Sequence, residues 1–187
     1  MRWLPCRPAA AVRELHRVDL MGASRTGDLS WYRGGSLREC DQWVRRSLAD
    51  CRSTVGTELD VDTLEQLWRA ALVLPEPSAP HVWLHGDLKP TNLLVQEGKL
   101  HALIDFGCLS IGHPDAEHSA LWDLPPRARE IYWGALDLDD PTWRRARAWA
   151  IAVGVGGISY YWATYPAFVA ECRARLRAIL ADAAGRG

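Results

Sequence analysis

Lysine is nearly missing from this chain: Lys89 and Lys99 are the only two among 187 residues, and every other basic side chain is arginine. A reaction that depends on lysine therefore has two candidates, and no lysine precedes Lys89. An excess of one charge sign is missing as well. The 22 basic and 23 acidic residues leave a formal net charge of -1, so no global field points to nucleic acid or to a membrane surface as partner. The five cysteines (Cys6, Cys40, Cys51, Cys108, Cys172) are odd in number and scattered, without a C-x-x-C pair. That excludes a zinc ribbon and a disulfide scaffold, and makes a reducing cytoplasm the expected location. Long apolar runs are lacking: Ala148 to Tyr161 follows an arginine-rich start and falls short of the roughly 20 residues of a bilayer span. Met1 to Ala11 carries arginines and prolines but no apolar centre, so it does not read as a secretory signal. Internal repeats and low-complexity segments are absent too. What remains is ordinary for a soluble globular chain: 48% hydrophobic, 24% charged, mean hydropathy -0.17, and a length that suits one domain with a substantial core.

The apolar spacing predicts helices at both ends of the chain. Ala9 to Asp19 places Val12, Leu15 and Val18 on one stripe, and Ser36 to Cys51 does the same for Leu37, Trp43, Val44 and Leu48. Leu20 to Gly35, with four glycines, reads as a loop between them. A further helix is capped by Asp60 or Asp62. Asp62 and Glu65 have capping-box spacing, and Val61, Leu64, Leu67, Trp68 and Leu72 form the buried stripe. The proline-rich run Pro75 to Pro80 ends it. The middle of the chain turns β-rich, with a short strand at His81 to Leu84. Asn92 to Gln96 and Leu100 to Ile104 read as a hairpin through Glu97-Gly98-Lys99. Helical character returns from His113. Pro141 after Asp139 and Asp140 starts a helix to about Tyr165, and a last helix spans Ala167 to about Asp182. The expected class is α+β, mainly helical.

Chemistry concentrates in Val82 to Gly107, VWLHGDLKPTNLLVQEGKLHALIDFG. It reads as a strand, a polar loop, a hairpin, and a strand that ends in an acid and a glycine. Hairpin geometry returns Asp105 to the neighbourhood of Asn92. A carboxylate and an amide oxygen there are hard ligands suited to Mg2+, which keeps waters and takes phosphate oxygens as well. Asp87 is then free to accept or orient the proton of an attacking hydroxyl.

His85-Gly86-Asp87, Asn92 five residues later, and Asp105-Phe106-Gly107 resemble the catalytic and metal loops of the protein-kinase superfamily. Gly86 stands where protein kinases carry arginine, no A-P-E follows, and Gly112-His113-Pro114 takes the place of G-D-P. These features resemble the aminoglycoside phosphotransferase family. Further likenesses are Arg2-Trp3-Leu4-Pro5 (like the linker between lobes), Leu15-His16-Arg17, Trp31-Tyr32-Arg33-Gly34-Gly35 and Asp139-Asp140-Pro141-Thr142-Trp143. The resemblance implies a kinase-like C-terminal lobe in which a small β-hairpin carries the catalytic and metal loops. It implies Asp87 as catalytic base, and Asn92 and Asp105 as ligands of Mg2+ and of the nucleotide it accompanies, ATP or GTP. His85 supports the loop by hydrogen bonding, and Lys89 either neutralises the transferred phosphate or is a solvated loop lysine.

On that alignment residues 1-8 are the remnant of an inter-lobe linker and residues 9-187 the C-terminal lobe. The nucleotide-covering N-terminal lobe and its lysine are expected to be absent, or supplied by a separate chain, with weak nucleotide binding as the consequence. Cys108, His113 and Glu117 replace acids usual in the family, which puts the support of the metal loop in question. Cys108, His113 and His118 lack a fourth ligand for zinc. Val153 to Gly157 reads as small residues for close helix packing, and most tryptophans read as core, with packing favoured over a substrate groove for Trp122, Trp133 and Tyr132. Asp115, Glu117, Asp123, Asp137 and Glu171 form either an acidic surface for a polycation or a solvated helical face. The expected function is ATP-dependent transfer of phosphate to a small-molecule hydroxyl, with an aminoglycoside-type acceptor favoured. The alternatives are a non-catalytic remnant or binding protein, and a kinase for a metabolite such as choline, homoserine or a sugar.

Overall fold

The structure, a computed structural model, describes residues 6–97 and 99–185. The proposed linker at Arg2 to Pro5 and the turn residue Gly98 lie outside the described residues. The helices are α1 (Cys6–Arg17), α2 (Leu37–Val55), α3 (Val61–Leu72), α4 (Pro126–Leu136), α5 (Asp140–Tyr161) and α6 (Pro166–Gly185). Four short strands sit between α3 and α4: β1 (Val82–Leu84), β2 (Leu93–Gln96), β3 (Lys99–Leu103) and β4 (Ser110–Gly112). A 3-10 helix, Pro114–Asp123, follows β4. The fold is mainly helical with small antiparallel sheets, as expected.

Three helix starts are fixed by short polar side chains that satisfy an orphan backbone donor. Ser36 accepts the Arg38 N–H, Asp60 the Thr63 N–H at 3.0 Å, and Asp139 the Thr142 N–H at 2.9 Å. Of the two aspartates offered to α3, Asp60 is the cap. Asp62 and Glu65 do not form a capping box; both hold Arg52 of α2, at 2.7 and 3.0 Å. α1 ends at Arg17, so Val18 falls past the apolar stripe and is exposed, while Ala9 and Val12 are buried.

α5 forms the centre of the core, with α2, α6 and the 3-10 helix packed around it. Its small residues serve close approach: a Cβ on Gly154 would lie 2.7 Å from Leu176, and one on Gly157 2.4 Å from the Cys172 sulfur, both on α6. Trp68, Trp122, Trp143, Trp149 and Tyr132 are buried in the core, and Trp133 packs against it. Among the described residues several ion pairs are sealed inside, Arg129 with Asp182 at 3.4 Å being one. Arg145 holds Asp115 at 2.6 Å, and Arg175 grips Asp123 through two bonds of 2.8 and 2.6 Å.

The strands form two separate ribbons. β2 pairs with β3 as the expected hairpin, Leu93 opposite Leu103 and Gln96 opposite Lys99, with a bulge between Leu94 and Val95. β1 pairs antiparallel with β4, Val82 opposite Gly112 and Leu84 opposite Ser110. The sequence does not announce β4, because three residues without periodicity become a strand only when β1 supplies the partner. Pairing β1 with β4 folds the whole segment 85–109 back on itself, so that its two polar ends meet. Among the described residues no helix is long and apolar enough to cross a membrane.

Candidate active site

β1 delivers the chain into His85-Gly86-Asp87, and each residue has a separate anchor. Gly86 has φ +78°, and a Cβ there would lie 2.1 Å from the backbone oxygen of Cys108. Only glycine permits both the left-handed backbone and that approach. His85 is buried, and both of its ring nitrogens are engaged. Nε2–H donates to the Ile104 carbonyl at 2.9 Å, and Nδ1 accepts the Asp87 N–H at 3.3 Å. The pattern fixes one neutral tautomer and ties the polar loop to the end of β3. His85 is thus a brace, as its place in the sequence suggests, with no free nitrogen for an incoming molecule. Glu117, buried in the 3-10 helix, accepts the His85 N–H at 2.5 Å. Burial pushes its carboxyl up to about 7, against the backbone N–H groups of His85 and Gly86, which favour the charged form.

Asp87 is held from three sides. Arg33 donates to Oδ1 at 3.0 Å, Lys89 approaches Oδ2 at 3.1 Å, and Asn92 donates through Nδ2 to the Asp87 carbonyl at 2.9 Å. Burial alone would raise the carboxyl. The fields and hydrogen bonds of Arg33 and Lys89 outweigh it and hold Asp87 below the usual carboxylate range. Lys89 is therefore bound to the acid rather than loose in solvent.

Asn92 is buried, and since its Nδ2 is spent on Asp87, Oδ1 is the end available to a cation. The Ile104 N–H donates to the Asn92 carbonyl at 3.1 Å, which places the next residue, Asp105, beside it. Asp105 is exposed and has φ +65°, a conformation that costs a non-glycine residue about 1 kcal/mol or more and gathers at functional sites. An amide oxygen and a carboxylate on neighbouring segments are of the donor type that suits Mg2+, which takes few protein oxygens and completes its shell with water and phosphate. All five residues singled out from the sequence, His85, Asp87, Lys89, Asn92 and Asp105, thus share one loop cluster.

Arg33 was not singled out by its chemistry, although the Trp31 to Gly35 run was noted. Nothing in a loop arginine between an aromatic pair and two glycines announces burial; the signal is spatial. Gly34 approaches Gly112 so closely that a Cβ on Gly112 would lie 2.2 Å from the Gly34 oxygen, and that oxygen accepts the His113 N–H at 3.1 Å. This docks the run on β4 and slides Arg33 beneath Asp87.

The acidic surface weighed from the sequence does not exist as such. Asp115 and Glu117 are buried and Asp123 is half-buried, two of the three locked to arginines, while Asp137 and Glu171 remain exposed. A helical wheel shows the charges but not the distant Arg145 and Arg175 that neutralise them. Cys108, His113 and His118 separate: the His113 ring lies against His81 at 4.5 Å, and His118 bonds the Tyr132 hydroxyl at 3.0 Å.

Comparison with known proteins follows this geometry. Residues 7–149 match the phosphotransferase enzyme family, and the chain belongs to it. The fold is shared with solved structures. One is the apoenzyme of a macrolide 2'-phosphotransferase from Brachybacterium faecium, 24% identical with a TM-score of 0.58, covering 94% of this chain and 60% of that one. A second is the ADP-bound aminoglycoside phosphotransferase APH(2'')-Ib, 16% identical with a TM-score of 0.55, covering 94% and 62%. A third is a gentamicin complex of APH(2'')-IIa, 17% identical with a TM-score of 0.59, covering 93% and 61%. The chain therefore spans about three fifths of the length of these structures. A stretch of 55 residues is also 40% identical to U-box domain-containing protein 33 of Arabidopsis thaliana, 29% of this chain and 7% of that protein.

Proposed function

We propose that this member of the phosphotransferase enzyme family serves transfer of the γ-phosphoryl group of ATP or GTP to a hydroxyl of a small molecule. One observation carries the reading: Asp87 sits ionised between two cations, with Asn92 fixed to its backbone and Asp105 emerging alongside. Asn92 Oδ1 and the Asp105 carboxylate would hold Mg2+, which when bound offsets the charge of the phosphates. Asp87 orients the acceptor hydroxyl. The hydroxyl oxygen forms the new bond to phosphorus as the bond to the bridging oxygen breaks, the hydroxyl proton passes to Asp87, and the nucleoside diphosphate leaves. A carboxylate held below its usual range is a weak base, so Asp87 contributes chiefly by alignment and accepts the proton late. Lys89, held on Asp87 Oδ2, would be the positive side chain that neutralises the transferred phosphoryl group.

The acceptor is assigned to the aminoglycoside or macrolide type, following the solved structures that share the fold. The burial and pairing of Asp115, Glu117 and Asp123 removes a reason to prefer a polycation. The setting is assigned to the cytoplasm, where the four free cysteines of the described residues stay reduced and nucleotides are abundant.

Calorimetric titration with Mg2+-ATP and Mg2+-GTP, on the parent and on Asp105→Ala, tests the nucleotide half. Weak but measurable binding that vanishes in the variant is the expected result. No heat with the parent, or equal heat with both proteins, would overturn the reading and leave a non-catalytic binding protein. Phosphorylation of a panel of aminoglycosides, macrolides, choline, homoserine and sugars then decides the acceptor.

A further inference from the structure

The two cations on Asp87 are held in different ways. Lys89 lies two residues further along the same loop and reaches Oδ2 on a flexible stem. Arg33 comes from 54 residues earlier, and its side chain is only 15% exposed. Its Nε donates to the Tyr32 hydroxyl at 3.0 Å, and its Nη1 donates both to the Gly86 carbonyl at 2.6 Å and to Asp87 Oδ1 at 3.0 Å. One nitrogen thus pins the backbone before Asp87 and the carboxylate itself. The planar fork leaves the guanidinium little freedom, and the Gly34 carbonyl behind it is fixed by the His113 N–H. Oδ2 has the looser partners, Lys89 and a 3.4 Å contact from Asn92.

We infer that Arg33 is a positioning residue for phosphoryl transfer: by bonding the Gly86 carbonyl and Asp87 Oδ1 through one nitrogen it fixes the rotamer of Asp87, so that Oδ2 is left for the acceptor hydroxyl. The inference rests on the reaction proposed above and adds a residue to it. An acceptor hydroxyl displaces Lys89 from Oδ2, whereas Oδ1 stays on Arg33 throughout. The loop is therefore aligned before any ligand arrives, which is what makes positioning effective in catalysis.

The test uses the full chain with Arg33→Gln and Arg33→Lys, and reads the Asp87 side chain from crystal structures of the parent and both variants. In Arg33→Gln the Asp87 carboxylate leaves the rotamer that the Arg33 fork holds, and Arg33→Lys, which restores the charge but not the fork, does not fully recover it. With a phosphorylated acceptor in hand, kcat falls roughly a hundredfold in Arg33→Gln with KM little changed, and Arg33→Lys stays below the parent. An Asp87 rotamer in folded Arg33→Gln equal to that of the parent would reduce Arg33 to a scaffold and overturn the inference. If Arg33→Gln does not fold, Arg33→Lys decides, because a parental Asp87 rotamer with parental kcat in that variant overturns it equally. Absence of phosphotransfer in the parent would sink the proposed reaction, while the Asp87 rotamer would still report on Arg33.

Discussion

Gly86→Ala measures how tightly the catalytic loop is built. Gly86 has φ +78°, and an added Cβ would sit 2.1 Å from the Cys108 carbonyl oxygen and 3.0 Å from the Cys108 carbonyl carbon. A carbon and an oxygen meet comfortably at about 3.3 Å, so something has to move by roughly 1 Å. Both sides are backbone, and neither gives easily. The Gly86 carbonyl is tied to Arg33, and the preceding amide to Glu117. The left-handed backbone adds a strain of about 1–2 kcal/mol for alanine, and forced displacement of packed backbone costs a further 1–3 kcal/mol or so. The sum is about 2–5 kcal/mol, which at 2–4 °C per kcal/mol for a chain of this size predicts a fall in Tm of roughly 4–20 °C.

Gly22→Ala is the control. Gly22 has φ +80°, close to that of Gly86, with nothing within 4 Å of the added Cβ, so it bears the conformational strain alone and loses roughly 2–8 °C. The difference between the two variants isolates the clash. Thermal unfolding by circular dichroism supplies both numbers, and the calorimetric titration adds whether the metal side feels the displacement. A Gly86→Ala protein that melts within about 2 °C of Gly22→Ala would show that the loop relaxes freely, and the account of a rigid Asp87 would fail with it.

Two further predictions concern buried charge. Glu117, raised from 4.5 to about 7 by burial, holds its proton more tightly folded than unfolded. Its contribution is therefore whole below about pH 4.5 and is lost as pH rises through about 7, some 3 kcal/mol in all. Glu117→Gln should flatten that decline in Tm between pH 5 and 8, and parallel curves for parent and variant would refute it. His16 and His118, lowered by burial to about 4 and about 3, act oppositely: their contribution is present above about pH 6.5 and is lost as pH falls, in both proteins alike. Arg175→Met strips Asp123 of its two-bonded partner in the core and should cost about 3–5 kcal/mol in urea unfolding, most of it recovered in Arg175→Met/Asp123→Leu. A single variant within about 1 kcal/mol of the parent would show the pair to be dispensable.

The loop chemistry was legible because it is local. Asp87, Asn92 and Asp105 sit on one strand, loop and hairpin, whose pattern can be read without knowing what packs beneath. Helix starts were legible for the same reason, since a cap acts over three residues, as Asp60 on Thr63 and Asp139 on Thr142 show. The failures share the opposite cause. β4 exists only through β1; Arg33 matters only because Gly34 and Gly112 touch. Asp115 and Asp123 looked solvated because their arginines lie 30 and 52 residues away. Asp62 and Glu65 had capping-box spacing, yet a long-range arginine claimed both. Long-range partners override local propensity where charge is involved, because an ion pair needs only proximity, and proximity is a property of the fold.

The same division runs through the candidate site. The loop that carries Asp87, proposed to meet the acceptor, is supported by buried groups: His85 bridges the loop to β3, Glu117 takes the His85 amide, and Arg33 takes the Gly86 carbonyl and the Asp87 oxygen. The pair proposed to hold the cation is different. Asn92 is anchored, but Asp105 stands exposed at φ +65°, on the turn that leads out of β3. The setting of Asp87 is thus built into the fold, while Asp105, proposed as the second metal oxygen, sits on a conformation that carries strain of about 1 kcal/mol or more. A cation that bridges Asn92 and Asp105 would hold that turn in place. Substitutions at Asp105 should therefore weaken nucleotide binding without unfolding the chain, whereas substitutions beneath Asp87 should lower stability and alignment together.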